Sequence, residues 1–160
     1  MSTAGRAPSL RPAGENDLPF LEDLRRETMR TVVENHYPWD DAAQRDRVLI
    51  HFEHAKVIVL DGTDIGLWKT FLRSDAIELV QIQISPPYQG KGIGQRLIRD
   101  LQAEAWNQGL PIELHVFRSN RAVRLYASLG FRPVKEDENS FSLRWLPQIA
   151  YQNPRGRSSP

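Results

Sequence analysis

The residues best suited to chemistry in this chain form a short glycine-rich segment, residues 89–94, with the sequence Gln-Gly-Lys-Gly-Ile-Gly. A β-rich run over residues 77–84 precedes it and ends at Ser-Pro-Pro, and residues 95–106 after it have apolar side chains at helical spacing. Glycine lets a backbone approach a ligand closely, and the first N–H groups of a helix lack partners within that helix. The helix dipole favours an anion at the same place, so the segment predicts a phosphate or pyrophosphate site.

The glycine spacing excludes two common phosphate-binding loops. A P-loop requires Gly-x-x-x-x-Gly-Lys followed by Ser or Thr, but Lys91 is followed by Gly92 and no upstream glycine is correctly placed. A dinucleotide-binding loop requires Gly-x-Gly-x-x-Gly. Its third glycine position is occupied by Gln95 when counted from Gly90, and by Leu97 when counted from Gly92. The pattern that remains is Gln-x-x-Gly-x-Gly.

A second motif lies in the next predicted strand–helix pair. Residues 111–117 have strand character, and Asn120 is a good N-cap for a helix that ends at Gly130. That helix carries the apolar or aromatic residues Ala122, Val123, Leu125, Tyr126 and Leu129. The glycine pattern and this second run, in this order, resemble the two signatures of the GNAT superfamily of N-acetyltransferases. The resemblance is specific over about residues 56–135, and the chain is most similar to small bacterial members.

The resemblance implies both a fold and an activity. The fold would be α/β (mixed α+β), with a central, mostly antiparallel mixed sheet and helices on both faces. The activity would be transfer of an acetyl group from acetyl-CoA to a primary amine, by direct attack in a ternary complex and without a metal. The partners expected from it are acetyl-CoA and an amine-bearing small molecule or protein.

The resemblance also implies which residues contact acetyl-CoA. The strand before the loop would offer backbone N–H groups to the thioester oxygen and to the pantetheine arm. Tyr126 would protonate the leaving thiolate, although a tyrosine packed in the core with a solvated hydroxyl is the alternative. Asn120 would cap its helix with or without a ligand. The cofactor-binding residues expected are therefore Ile82, Gln83, Ile84, Gln89, Gly90, Lys91, Gly92, Ile93, Gly94, Gln95, Asn120 and Tyr126.

Two residues are candidates for the general base. Glu78 lies on the strand that leads to the loop, where the family often places a carboxylate, and the alternative is a partly exposed glutamate at a strand end. His115 occupies a position at which some relatives carry a glutamate, and an imidazole can act as a base near neutral pH. The alternative for His115 is a strand residue that faces a helix. His36, His51 and His54 lack metal-ligand spacing around a shared carboxylate, and no metal is expected.

The acceptor amine is expected near a cluster of acidic and aromatic residues. The candidates are Tyr37, Trp39, Asp40 and Trp68. A helix cap at Asp40 and core tryptophans are the simpler interpretation of the same residues. Lys91 beside the expected pyrophosphate can equally be a solvated surface lysine.

The elements that position these residues can be read from periodicity and caps. Residues 10–12 are a short strand, and Asn16 can cap a helix to about His36 that buries Leu18, Leu21, Leu24, Thr28 and Val32. Asp40 or Asp41 opens a second helix with Val48, Leu49 and Phe52 inside. A hairpin follows at residues 56–72 with an Asp61-Gly62 turn, and the last strand is residues 141–145. The predicted order is βααβββαβαβ.

Composition fits one globular domain over residues 10–146, with a disordered segment 1–9 and a flexible tail 147–160. Forty per cent hydrophobic residues and a formal net charge of +1 give no reason to expect nucleic acid or a membrane as partner. The chain has no cysteine, which excludes disulfides and thiol catalysis. Residues 1–9 lack the apolar core of a signal peptide. We therefore expect a cytoplasmic monomer or homodimer.

Two other classes of function use the same loop. A non-catalytic acyl-CoA-binding or regulatory domain would bind the cofactor without turnover. A phosphate-binding module unrelated to CoA would bind nucleotides without any preference for pantetheine. The identity of the acceptor does not follow from the sequence.

Overall fold

The computed structural model describes residues 7–147. Its strands are β1 (Ser9–Pro12), β2 (Ala55–Leu60), β3 (Thr63–Leu72), β4 (Ile77–Ile84), β5 (Ile112–Phe117), β6 (Arg132–Glu136) and β7 (Ser140–Trp145). Its helices are α1 (Leu18–Glu34), α2 (Asp41–Leu49), α3 (Ile93–Gln108) and α4 (Ala122–Ser128). The predicted flexible tail lies outside the described residues except for residue 147. Of the predicted disordered segment 1–9, residues 7–9 are described, and Ser9 belongs to β1.

The seven strands follow the order β1-β2-β3-β4-β5-β7-β6. The pairs β1–β2, β2–β3, β5–β7 and β6–β7 are antiparallel, whereas β4 and β5 are parallel. This confirms the predicted mixed α/β class with a mostly antiparallel sheet. The described residues fall into two compact units. The first contains residues 7–71 and 79–94, and the second contains residues 72–78 and 95–147.

The first unit contains the predicted hairpin, which β2 and β3 form. Asp61 and Gly62 have φ values of 51° and 79°, the left-handed conformations that a two-residue hairpin turn requires. Helix α1 contacts α2, and both help to enclose a core of Leu21, Leu24, Val48, Ala55 and Leu67. Asp40 caps α2 as predicted, since its carboxylate accepts a hydrogen bond of 3.1 Å from the N–H of Ala43.

The helices of this unit differ from the expectations at three points. Helix α1 begins after Asp17 and not after Asn16, because Arg11 and the N–H of Gly14 hold the Asp17 carboxylate and a short 3₁₀ turn precedes the helix. The buried residues of α1 are Leu21, Leu24, Arg25 and Val33, whereas Leu18, Thr28 and Val32, which were also expected toward the core, are half-buried. In α2, Leu49 is exposed, because Val48 alone occupies the inward position of the last turn.

The second unit contains a strand that the sequence did not predict. β6 pairs with β7, its residues are all exposed, and its register shifts between Pro133 and Lys135. It lacks the apolar alternation of a half-buried strand because neither face is covered. The unit is packed around Phe131 and Trp145, and Gly130 with φ of 95° brings the chain close to the Trp145 ring.

β4 has the predicted bounds and the predicted alternation. Ile77, Leu79, Gln81 and Gln83 are buried, whereas Glu78, Val80, Ile82 and Ile84 are half-buried and share the other face. Among residues 7–147, no helix is long and apolar enough to cross a bilayer.

Candidate functional site

The glycine-rich loop connects the end of β4 to the start of α3. Gly90 and Gly92 have φ values of 75° and 82°, conformations that side chains with a Cβ rarely adopt. A Cβ built on either glycine would meet nothing within 4 Å. The Gln89 side chain donates a 2.8 Å hydrogen bond to the carbonyl of Ile84, which ties the loop to its strand. The loop is therefore held in shape while its glycines border open space.

Helix α3 begins at Ile93, two residues earlier than the sequence predicted. Its first turn therefore includes Gly94 and Gln95, whose N–H groups lie at the end of the helix that attracts anions. Within the described part of the chain, the N–H groups of Gly90, Lys91 and Gly92 bond to no acceptor. Lys91 is exposed, in keeping with a solvated side chain. The backbone thus offers several donors in one short segment.

β4 leads directly into this loop. Its parallel pairing with β5 includes Ile77 and Glu78. β3 lies on its other edge, where a Cβ at Gly66 would collide with the Gln83 carbonyl. Ile82 and Ile84 are half-buried, and the Gln83 side chain is buried. Contacts of the backbone of residues 82–84 with a ligand stay a prediction.

Tyr126 lies on α4 and is 5% exposed. Its ring meets Phe131 edge-on, with 5.7 Å between the ring centroids. Burial raises the pKa of the Tyr126 hydroxyl to about 12, so that the hydroxyl stays protonated throughout the neutral range. The group is a hydrogen-bond donor at any pH at which the protein would work.

Arg121 occupies the N-cap position of α4 and makes no side-chain cap hydrogen bond, and the predicted cap Asn120 lies one residue earlier. The side-chain oxygen of Asn120 accepts a 2.9 Å hydrogen bond from the N–H of Ala122, and its carbonyl accepts one of 3.1 Å from Val123. The contact with Ala122 uses the oxygen of the side-chain amide and leaves the NH₂ group for another partner. A ligand contact by Asn120 is compatible with this geometry and stays a prediction.

Glu78 belongs to an ion-pair network. Its carboxylate is 3.7 Å from the Arg73 guanidinium, which also bonds Glu113 and lies 3.5 Å from Asp75. Arg144 holds the second oxygen of Glu113 at 2.9 Å. The two guanidinium groups hold the pKa of Glu113 below its ordinary value, against the opposing effect of burial. Glu78 is thus a half-buried carboxylate that has a cation beside it, and it is not freely solvated.

His115 lies on β5 on the same face as Glu113, because the two residues are two apart on one strand. The side chain of His115 is exposed, and its Nδ1 lies 2.9 Å from the Ser142 hydroxyl. In the tautomer in which Nδ1 donates to Ser142, Nε2 is the ring nitrogen with a free lone pair. The register pairs Glu78 with Glu113, so that both candidate bases lie on one face of the β4–β5 pair.

The four candidate acceptor residues have different surroundings. Trp39 lines a cavity of about 230 Å³ whose other walls come from α1 and α2, and its Nε1 donates a 2.8 Å hydrogen bond to Asp41. Tyr37 is exposed, Asp40 caps α2, and Trp68 is buried in β3. Of the four, only Trp39 is a lining residue of this cavity. Helix capping and core packing account for Asp40 and Trp68, and acceptor contacts by these residues stay predictions.

The sequence did not single out Arg25, Arg73 or Glu113. Arg25 is 6% exposed and lines the same cavity as Trp39. Neighbouring residues in the sequence do not reveal the partners of a single arginine or glutamate. Gln44 is 19 residues from Arg25, and Glu113 is 40 residues from Arg73, so only the fold brings each pair together. Within residues 7–147, no cluster of three or more His, Asp or Glu side chains could hold a metal ion.

Comparison with known proteins agrees with this geometry. The model of the acetyltransferase (GNAT) family matches residues 18–131. An uncharacterised N-acetyltransferase of Archaeoglobus fulgidus is 28% identical over 114 residues, which are 70% of this chain and 77% of that protein. An amino-acid acetyltransferase of Neisseria meningitidis is 26% identical over 132 residues, 81% of this chain, but the match spans only 28% of that longer protein.

Solved structures share the fold. The PaiA N-acetyltransferase of Thermoplasma acidophilum, solved with coenzyme A, superposes with a TM-score of 0.70 at 19% identity, covering 88% of this chain and 99% of its own. The ribosomal-protein-S18-alanine N-acetyltransferase of Escherichia coli superposes with a TM-score of 0.64 at 21% identity, covering 88% and 94%. The two signatures, the strand order and the family match lead to one assignment: this chain belongs to the GNAT family of acetyltransferases.

Proposed function

We propose that this protein transfers an acetyl group from acetyl-CoA to a primary amine, by direct attack of the amine within a ternary complex. The observation that carries the proposal is the loop at Gly90 and Gly92. Both glycines have positive φ, and a Cβ on either would enter open space. A backbone so shaped, at the start of a helix, can bring N–H groups against a pyrophosphate without a side chain in between.

The strand before the loop supports the same cofactor. β4 ends at Ile84, just before the loop, and an extended pantetheine arm can pair with the backbone of a strand as an added strand does. Backbone N–H groups of Ile82 and Ile84, which point away from β3, would then lie near the thioester and stabilise the negative charge that develops on its oxygen. The Gln83 backbone, in contrast, faces Gly66 of β3. Acetyl-CoA, when bound, supplies the activated acetyl group.

The attacking amine must be neutral, and the cost of making it neutral depends on its class. A lysine-like amine with a pKa of 10.4 costs about 4.6 kcal/mol at pH 7, at about 1.36 kcal/mol per unit. An α-amine with a pKa near 8 costs only about 1.4 kcal/mol. A base at Glu78 or His115 is therefore valuable for the first class and nearly dispensable for the second.

Tyr126 would assist the leaving sulfur. Its pKa of about 12 lies roughly 3.5 units above the value near 8.5 of a thiol in water. Complete proton transfer to such a thiolate would cost about 4.8 kcal/mol. Tyr126 is thus better suited to donate a hydrogen bond to the sulfur as its charge develops. Full transfer becomes easier only where burial raises the thiol pKa as well.

The test of this proposal has two steps. Thermal unfolding is first compared with acetyl-CoA, CoA, ADP and ATP, and a ligand at 100 times its Kd should stabilise the fold by about 2.7 kcal/mol. Stabilisation by both CoA ligands and not by ADP or ATP supports the pantetheine contacts, whereas equal stabilisation by all four indicates a general phosphate module. CoA release is then measured over a panel of primary amines. Binding without release from any amine would favour the non-catalytic acyl-CoA-binding alternative.

A further inference from the structure

The cavity lined by α1, α2 and Trp39 contains a charged side chain that the catalytic proposal does not use. Arg25 of α1 is 6% exposed and forms part of the cavity wall. Its Nε donates a 2.7 Å hydrogen bond to the side-chain oxygen of Gln44. Within residues 7–147, no carboxylate lies within 4 Å of its guanidinium, and neither Nη group has an acceptor. Burying a charge without a counter-ion is costly, so its retention requires a reason.

The other charged side chains around this cavity are already paired. Arg45 bonds Glu22 at 2.6 Å, and Arg26 bonds Asp23 at 3.0 Å. Asp41 accepts the Trp39 Nε1 hydrogen bond and lies 3.8 Å from Arg26. Neither lining acid is therefore available to neutralise Arg25.

Arg47 of α2 adds a further positive charge to the surroundings of Arg25. Desolvation and, to a smaller extent, the charge of Arg47 lower the pKa of Arg25 to about 10, with no acid acting in the opposite direction. Lys69 is fully buried and bonds only backbone carbonyls, and the charge of Arg25 contributes to lowering its pKa. An anion placed at Arg25 would relieve repulsion among these cations.

The size and charge of the cavity restrict which anion fits. The lining carries three arginines and two acids, a net charge of +1, which matches a monoanion better than a phosphate dianion. Its volume of about 230 Å³ is far above the roughly 10–15 Å³ that one water molecule needs, so a small organic molecule can fit. Val48 and the Trp39 ring supply apolar surface for the carbon skeleton of a ligand. A planar guanidinium bonds a planar carboxylate with two parallel hydrogen bonds.

We propose that this cavity binds the carboxylate group of a small organic molecule through the Nη groups of Arg25. The carboxylate belongs either to the acceptor amine itself or to a separate effector. The assignment of the carboxylate to the acceptor amine rests on the proposed acetyltransferase function. The existence of the anion site does not depend on that function. Binding can therefore be tested without any turnover.

The first experiment is an NMR titration of protein labelled with ¹⁵N-arginine, observed at the Nε–Hε groups. The probes are propionate and L-alanine, each compared with its own amide, propionamide and L-alaninamide. Sodium chloride at equal ionic strength controls for screening. Arg25→Lys identifies the Arg25 signal by its loss. We expect a saturable shift of that signal with at least one of the carboxylates and none with its amide or with chloride. An Arg25 signal that no carboxylate moves, or that amide or chloride moves equally, would overturn the proposal.

A stability measurement provides an independent result. Arg25→Met removes an uncompensated buried charge, so its melting temperature without ligand should equal or exceed that of the wild type. It should lose the stabilisation that propionate gives the wild type, whereas the exposed Arg99→Gln on α3 should keep it. A folded Arg25→Met protein that propionate still stabilises would contradict the proposal, and the wild-type titration decides the matter should this variant not fold.

Kinetics then distinguish the two sources of the carboxylate. If the acceptor carries it, Arg25→Gln should raise the KM of carboxylated amines by about 10- to 100-fold with kcat retained, and leave uncharged amines unaffected. If a separate effector carries it, propionate should bind without competing with the acceptor. Either result supports the anion site. The absence of acetyl transfer from any amine would contradict the proposed function and leave the titration unaffected.

Discussion

Glu78 of β4 lies directly opposite Glu113 of β5 in the parallel ladder, and Arg73 contacts both carboxylates. Two like charges at neighbouring positions would repel each other without that guanidinium. The network fixes where the Glu78 carboxylate points. Glu78 can thus be tested by a substitution that retains its shape.

Glu78→Gln should slow acetyl transfer at pH 7 by about 10²-fold or more if Glu78 removes the proton, because the amide has no basicity. The rate should recover as the pH approaches the pKa of the amine, where free amine forms without help. The measurement is a pH–rate profile with an amine found in the CoA-release screen. Glu113→Gln is the matched control, since it removes the opposite carboxylate and should show no such recovery. A profile that is slow at every pH would assign Glu78 to positioning.

His115→Ala should show the same recovery with pH if the imidazole is the base. Ser142→Ala is its control, because it removes the 2.9 Å contact to Nδ1 and retains the ring. The loss with Ser142→Ala should be small compared with His115→Ala. Normal profiles for both Glu78→Gln and His115→Ala would mean that neither acts as a base, and would favour an acceptor of low pKa such as an α-amine.

Gly92→Val should weaken acetyl-CoA binding far more than Lys91→Ala does. A valine at φ of 82° is strained, and its side chain would occupy the open space beside the loop. Lys91 is exposed, and its charge is screened by water and salt. Calorimetric titration with acetyl-CoA measures both variants. If a folded Gly92→Val protein bound acetyl-CoA with wild-type affinity, the assignment of this loop to the cofactor site would be wrong.

Tyr126→Phe should lower kcat by about 10²-fold or less and leave the affinity for acetyl-CoA nearly unchanged, because a thiolate is already a fair leaving group. The pKa of about 12 also predicts that activity will show no loss from Tyr126 ionisation up to pH 10. Steady-state and single-turnover kinetics give the two constants. An unchanged rate of the chemical step would leave the Tyr126 ring with a packing role beside Phe131.

Lys69→Met should destabilise the fold by about 1–3 kcal/mol, because three carbonyls at the end of α2 lose their donor. Lys56→Met, on the exposed side of β2, should change stability by less than about 0.5 kcal/mol. Burial lowers the pKa of Lys69 from 10.5 to about 8. Between these values the unfolded chain binds more protons than the folded one, so the contribution of Lys69 makes stability rise with pH.

Denaturant unfolding of both proteins at pH 7.5 and 9.5 tests this sign. The difference between wild type and Lys69→Met isolates Lys69 from the other titrating groups. We expect the wild type to gain stability relative to the variant at the higher pH. A relative loss would mean that the carbonyl hydrogen bonds hold Lys69 charged in the folded protein.

The sequence predicted those elements whose signals are local. β4 is a run rich in β-forming residues that ends at Ser-Pro-Pro, so that both of its bounds were predictable. The hairpin turn follows from Asp61-Gly62, and α2 begins at a residue that caps helices well. The same holds for the loop at Gly90 and Gly92, whose backbone conformation requires glycine.

Residues with distant partners were not predictable. Lys69 sits within an apolar strand and would be expected to face water, yet the end of α2 gives it three carbonyl acceptors. Asp17 displaced Asn16 as the helix cap because Arg11 of β1 holds its carboxylate. Arg25 belongs to a helix whose pattern favoured Thr28 and Val32 as inward residues. In each case a contact formed by the fold outweighed the local preference.

The exposed strand β6 has a consequence for self-association. It contains Pro133, which lacks a backbone donor, and its register shift bends the strand away from a flat edge. Lys135 and Glu136 add charges that an incoming strand would have to desolvate. β6 is therefore a poor template for continuing the sheet into a second copy. We expect a homodimer, if one forms, to use a surface other than the β6 edge.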